Sequence, residues 1–156
     1  MRLSKHGATF KVITLALLVA ALAIIWLLTV QTPNETMGLS GWWSSLLAST
    51  GLVNASQASF IMRKVAHTAE FLPVGILAAL CALTWFSDKW PRRKLAIGAA
   101  LFCVTCSLAD QTHKLFVPSR EFDCRDLACD AVGYLIGIAV VFAAAWIIKS
   151  SKEQRA

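Results

Sequence analysis

Val12–Val30 runs for 19 residues without a charge. A helix of roughly 20 residues, rising about 1.5 Å per residue, crosses the hydrocarbon core of a bilayer. Backbone groups have no water to bond there, so a spanning chain of this kind must be helical. Three further runs meet the same constraint: about 65–86, broken by His67 and Glu70; the shorter 95–109; and about 127–148, broken by Asp130 near its start. The expected fold is all-α, a polytopic membrane protein with four transmembrane helices in a single domain over 1–156. Hydrophobic residues make up 57% of the chain, too many for an ordinary soluble domain. The first run outlasts a secretory h-region, and no small-x-small cleavage site follows it before Gln31, Thr32 and Pro33, so it reads as an uncleaved helix.

The net charge of +6 does not point to nucleic acid, because the basic residues fall in short loops between apolar runs. Ten of the fifteen Lys and Arg lie on one side: Arg2, Lys5, Lys11, Lys89, Arg92, Arg93, Lys94, Lys149, Lys152 and Arg155. Arg63, Lys64, Lys114, Arg120 and Arg125 lie on the other, offset by Asp110, Glu121, Asp123 and Asp126. The positive-inside rule then predicts a multi-pass protein of the cytoplasmic (inner) membrane with both termini in the cytoplasm. The loops Gln31–Lys64 and Asp110–Asp126 fall outside. In the first, GWWSSLLAS brings Trp42, Trp43, Leu46 and Leu47 to helical spacing. It predicts a short helix, either interfacial or packed as a cap over the helix ends. Ser56 or Ser59 is expected to cap the second span, and Pro91 suits the first turn of the third. Five cysteines are an odd number, and Cys81, Cys103 and Cys106 fall inside apolar runs, where cysteine acts as a small hydrophobe. Cys124 and Cys129, five apart, point to different helix faces, so no bridge between them is expected.

The remaining polar residues gather at one depth. Arg63, His67 and Glu70 stand at i, i+4 and i+7 on one helical face. Asp110 and His113 are i, i+3 at the outer end of the third span, and Asp126 and Asp130 are i, i+4 at the outer start of the fourth. Carboxylates near a span centre cost about 2.5–3.5 kcal/mol and less toward its ends, so such groups face the bundle and pair. Arg63 or Arg120 is the expected partner of Glu70, and Asp126 or Asp130 that of His67. Pro73 cannot donate to the carbonyl of Ala69, which adds polarity beside Glu70. Gly133 and Gly137 form a small-xxx-small pair that lets a neighbouring helix come close and brings Asp130 with it.

Two blocks carry a resemblance. RKVAHTAEF, Arg63–Phe71, is similar to R-K-x-x-H-x-x-E-[YF], and DQTHKLFVPSREFDCRDLACDAVG, Asp110–Gly133, to D-E-x-H-Q-x-F-V-P-x-R-x-x-x-x-x-D-x-x-x-N-x-x-G. Both are patterns of the VanZ-like family of small membrane proteins. Asp110, His113, Phe116, Pro118, Arg120, Asp126 and Gly133 match the second. Gln111 replaces the usual Glu, Lys114 the usual Gln, and Asp130 the usual Asn, which removes one carboxylate and adds another. The resemblance implies a roughly four-span membrane protein of the cell envelope, from a family whose founding member is associated with low-level resistance to the glycopeptide teicoplanin.

Four roles suit the cluster. It can be structural, with Arg63–Glu70 and Arg120–Asp126 as staples between helices. It can bind an amphipathic or lipid-linked envelope molecule, with Arg63, Lys114 and Arg120 on its phosphate or carboxylate groups and apolar walls on its acyl or polyprenyl chain. It can be an intramembrane hydrolase or transferase acting on a lipid headgroup, with His67, Glu70, Asp110, His113, Asp126 and Asp130 as acid and base candidates. Against this, no metal-site spacing is present and no Ser or Cys stands out as a nucleophile, so neither metal nor cofactor is expected. Redox chemistry at Cys103-x-x-Cys106, one turn from Asp110, is the fourth. The binding role is the expectation carried forward, with a membrane lipid or lipid-linked cell-wall molecule as partner.

Overall fold

The computed structural model describes residues 5–30, 33–118 and 120–154. Arg2 and Arg155 of the charge bias, and Gln31 and Thr32 after the first span, lie outside the described residues. Among the described residues the chain forms five helices and no strand: α1 (Lys5–Val30), α2 (Pro33–Ser49), α3 (Ala55–Phe86), α4 (Arg92–Lys114) and α5 (Cys124–Glu153). α1, α3, α4 and α5 are each long and apolar enough to cross a membrane. Their outward faces expose residues such as Leu27, Leu101, Ile136 and Ile147. Water would not tolerate such a continuous apolar surface, whereas lipid requires it. The chain is a multi-pass membrane protein.

The helix expected in the first loop is present but longer, 17 residues. α2 packs along α3 and leaves Trp42 and Trp43 exposed, their rings edge to face at 4.6 Å. It therefore covers α3 on one face and offers aromatic surface on the other.

α3 begins at Asn54, not at Ser56 or Ser59 as the sequence predicts. The Asn54 side chain accepts from the Gln57 backbone N–H at 2.9 Å, and the Gln57 side chain accepts from the Asn54 N–H at 3.1 Å. This capping box satisfies two donors at once. Ser56 donates instead to Asn54 (2.8 Å) and Ser59 to the Ala55 carbonyl (3.0 Å). At 32 residues, α3 rises about 48 Å, well beyond a core of about 30 Å. A span of roughly 20 residues ending at Phe86 would begin near Ala66, which leaves Arg63 and Lys64 outside it and His67 just within.

α4 and α5 both overrun the predicted spans. Pro91 is the N-cap of α4, and the helix continues past Ala109 through Asp110, Gln111, His113 and Lys114. α5 opens at Cys124 and holds Asp126 in its first turn, where the helix N-terminus favours an acid. The connection between α4 and α5 is thus 115–123 rather than the whole of Asp110–Asp126. Charge alone marks those residues as loop; partners on neighbouring helices allow them to stay helical.

α3 is the central helix, and its most extensive contact is with α5. Glycines set that contact. A Cβ at Gly133 would overlap the Thr68 carbonyl, one at Gly137 would meet the backbone of Leu72 and Ile76, and one at Gly75 would overlap the backbone of Tyr134. The Gly133–Gly137 pair acts as predicted, and Gly75 is its counterpart on α3. Phe71, Val74 and Ala78 of α3, Cys103 of α4 and Tyr134 and Ile138 of α5 fill the core beside them. Gly133→Ala should therefore lower stability by about 1–3 kcal/mol or more, because backbone cannot move aside as a side chain can. Gly41→Ala in α2, whose Cβ meets nothing within 4 Å, should be neutral or stabilising by about 0.5–1 kcal/mol. Thermal unfolding in detergent, followed by circular dichroism, reads both.

Candidate functional site

The extra turns of α4 and α5 place their polar residues against the N-terminal half of α3. Ser107, Asp110, Gln111 and Lys114 share the buried face of α4. His67 is the buried polar residue of α3, and Asp126 and Asp130 those of α5. α1 adds Thr29 and Trp26 from its C-terminal end.

Asp126 is the hub. Its Oδ1 accepts from the Lys64 ammonium, and its Oδ2 lies 3.3 Å from Lys114 Nζ and 3.1 Å from His67 Nε2. Lys64 also reaches Asp123 at 2.7 Å, and Arg63 approaches Asp123 at 3.6 Å. On its other side, His67 Nδ1 lies 3.2 Å from Asp130 Oδ1 and 3.8 Å from Glu70. Asp130 Oδ2 accepts from the Ser107 hydroxyl at 2.7 Å. Asp110 accepts from Thr29 at 2.5 Å and faces Lys114 at 3.7 Å. Polar contacts thus run unbroken from α1 through α4 to α3 and α5.

The structure brings His67, Glu70, Asp110, Lys114, Asp126 and Asp130 into one network, as their spacing suggested. His67 meets both of its expected partners. Arg63 does not reach Glu70, which lies two turns below it, about 10 Å along the helix. It pairs instead with Asp123, with 57% of its side chain exposed. Asp126 pairs with Lys64, His67 and Lys114. Lys114 is buried within the network, and Arg120 is half-buried in the 115–123 connection. His113 turns to α1 and stacks on Trp26, with ring centroids 4.6 Å apart. Sequence reasoning missed Thr29 and Ser107, since a hydroxyl at the end of an apolar run is too common to mark a partner. It took Lys64 as a loop charge and a contact for a ligand's phosphate or carboxylate, not as a partner of Asp126.

The network is buried but not closed. Gln111 is fully buried, and neither atom of its amide has a partner among the described residues. It lies one turn from Ser107 and one turn from Lys114, in the middle of the polar face of α4. His67 Nδ1 and Asp130 Oδ1 face each other without hydrogen-bond alignment, and His113 Nδ1 is also unpartnered.

Chemically, the arrangement suits charge holding better than nucleophilic catalysis. Both ring nitrogens of His67 already face carboxylates. Ser107 bonds to Asp130 rather than to the imidazole, so the order needed to activate a serine is absent. The five cysteines are free thiols, Cys103 and Cys106 included. Among the described residues, no three His, Cys, Asp or Glu side chains converge as metal ligands.

The family model described as VanZ/LLP1 matches residues 13–148. No curated protein and no solved structure matches the chain.

Two measurements probe the network. Lys114→Met leaves buried carboxylates short of a cation and should cost about 3–5 kcal/mol, whereas Arg63→Ala at the exposed rim should cost less than about 1 kcal/mol. Unfolding in detergent compares them. Separately, the hydrogen bond from Lys64 holds the Asp123 carboxyl below the usual carboxylate range. Its contribution to stability is then complete above the unfolded value, near 3.9, and is lost as pH falls through the lower folded value. Asp123→Asn should lower stability at pH 7 and should flatten the loss of stability on acidification below about pH 4.

Proposed function

The chain belongs to the VanZ/LLP1 family, and we propose that it is a cytoplasmic-membrane protein with an outward-facing polar site for an amphipathic or lipid-linked envelope molecule. The family's link to glycopeptide resistance makes teicoplanin sensitivity the phenotype to follow. Both termini are assigned to the cytoplasm on the loop charges, which leaves the network at the outer leaflet.

The observation that carries this reading is Gln111. A buried amide with no partner costs about 1–3 kcal/mol. A network serving only to staple helices would gain by having leucine there. A headgroup entering between α3, α4 and α5 would supply the missing hydrogen bonds. Arg63, exposed beside Asp123, suits a phosphate or carboxylate on the same molecule. Arg120 is a second candidate contact, and Lys114 would act on the ligand only from within the network. Beside Arg63 lies a groove of about 450 Å³ lined by Val53, Ser56, Gln57, Phe60 and Ile61, which suits an acyl or polyprenyl chain. The alternative of a headgroup hydrolase or transferase is less well served, because a substrate would have to displace a carboxylate from His67.

Gln111→Leu separates binding from stapling. On the binding reading, the variant is more stable than wild type by about 1–3 kcal/mol and loses a bound polyprenyl phosphate in native mass spectrometry. Arg63→Ala loses the same ligand with little change in stability. If Gln111→Leu is stabilised while ligand retention and teicoplanin sensitivity match wild type, the network is structural and the binding reading fails.

A further inference from the structure

The other end of the bundle holds a cavity that the polar network does not use. It measures about 400 Å³ and lies among α1, α3 and α4, with Leu18, Ala78, Phe86, Leu95 and Phe102 in its wall. Lys94 is the charged residue of its lining, and its ammonium stands 5.5 Å over the ring of Trp90, which also lines the cavity. Among the residues whose side chains are described, no carboxylate pairs with Lys94; the ion pairs given above all lie at the opposite end.

We propose that this cavity is a separate lipid site, in which an acyl chain of an anionic bilayer phospholipid lies against α1, α3 and α4 and its phosphate is held by Lys94. Three observations support that occupant. The lining is apolar apart from Lys94 at its mouth, so it matches a molecule with a long apolar part and one anionic end. The volume falls within the usual range for a small-molecule site, about 300–1,000 Å³. This end of the bundle is basic and aromatic: Lys11 stands 5.5 Å over Trp85, and Arg92 and Arg93 precede Lys94 in the chain, Arg92 donating to the Ala145 carbonyl of α5 at 3.3 Å. Asp88 is the sole acid in the 87–91 connection. Moving a lipid tail from bilayer to cavity removes no apolar surface from water, so the tail alone confers no selectivity. Selectivity must come from the headgroup, where each basic residue near the surface contributes roughly a five-fold preference for anionic lipid.

Gly98 provides the decisive variant. It lines the cavity, and a Cβ built there meets nothing within 4 Å, so a larger side chain can start from this position, and Gly98→Leu takes up part of the space. The experiment is native mass spectrometry of the full chain, reconstituted with equal phosphatidylglycerol and phosphatidylcholine and then taken into mild detergent. Wild type should keep one phosphatidylglycerol at activation energies that strip phosphatidylcholine. Lys94→Gln should lower the retained phosphatidylglycerol-to-phosphatidylcholine ratio by roughly five-fold. Gly98→Leu should lose the tightly held lipid altogether, and Arg63→Ala should leave it in place. Equal loss of both lipids from wild type, or wild-type retention in both Lys94→Gln and Gly98→Leu, overturns the proposal. Neither outcome touches the reading of the polar network, which lies at the other end.

Discussion

Ionised groups out of water must find one another, and at the Asp126 end of this bundle that demand organises the fold. Asp110, Asp126 and Asp130 are buried with Lys114 and His67, and Lys64 closes over them from the rim. Taking such an ion from water into the protein costs several kcal/mol even after relaxation. Asp126, Asp130, Lys114 and His67 are each met by residues of two other helices, and Asp110 by Thr29 of α1 beside Lys114 of its own helix. The network therefore fixes the rotation and the height of α3, α4 and α5 together: turn one of them, and a charge faces lipid.

That fixing depends on how near the helices can come. Lipid tails are as apolar as the helix surfaces, so the helices gain little from burying apolar area against each other. Close backbone approach takes its place. Gly75, Gly133 and Gly137 let α3 and α5 touch backbone to backbone, one turn below Asp130. The same approach brings Thr68 to the Cys129 carbonyl at 3.2 Å. The glycine contact and the ion network are consecutive turns of one interface, apolar below and charged above.

The two ends of the bundle then differ in kind. At one end, charges satisfy each other and leave an amide over; at the other, Lys94 lines an apolar cavity. The first is a site of many coupled groups, where one substitution disturbs all. The second is a shape with a charge at its edge, where volume and charge can be altered separately.

Much of this was legible in the residues themselves. Run lengths determined four spanning helices, because backbone in lipid has no alternative to helix. Spacing placed His67, Asp126 and Asp130 on facing surfaces, and Gly133 and Gly137 marked the close contact, because helical periodicity fixes which residues share a face. The partners were not legible. Sequence gives the face of a residue but not the reach of its side chain, so Arg63 seemed due for Glu70 and in fact meets Asp123. The charged letters of Asp110–Lys114 read as loop because their partners lie on other helices, so their cost in isolation is not their cost in place. The roles of Thr29 and Ser107 and the unpartnered amide of the buried Gln111 depend wholly on which neighbours arrive, and that was decided by tertiary packing alone.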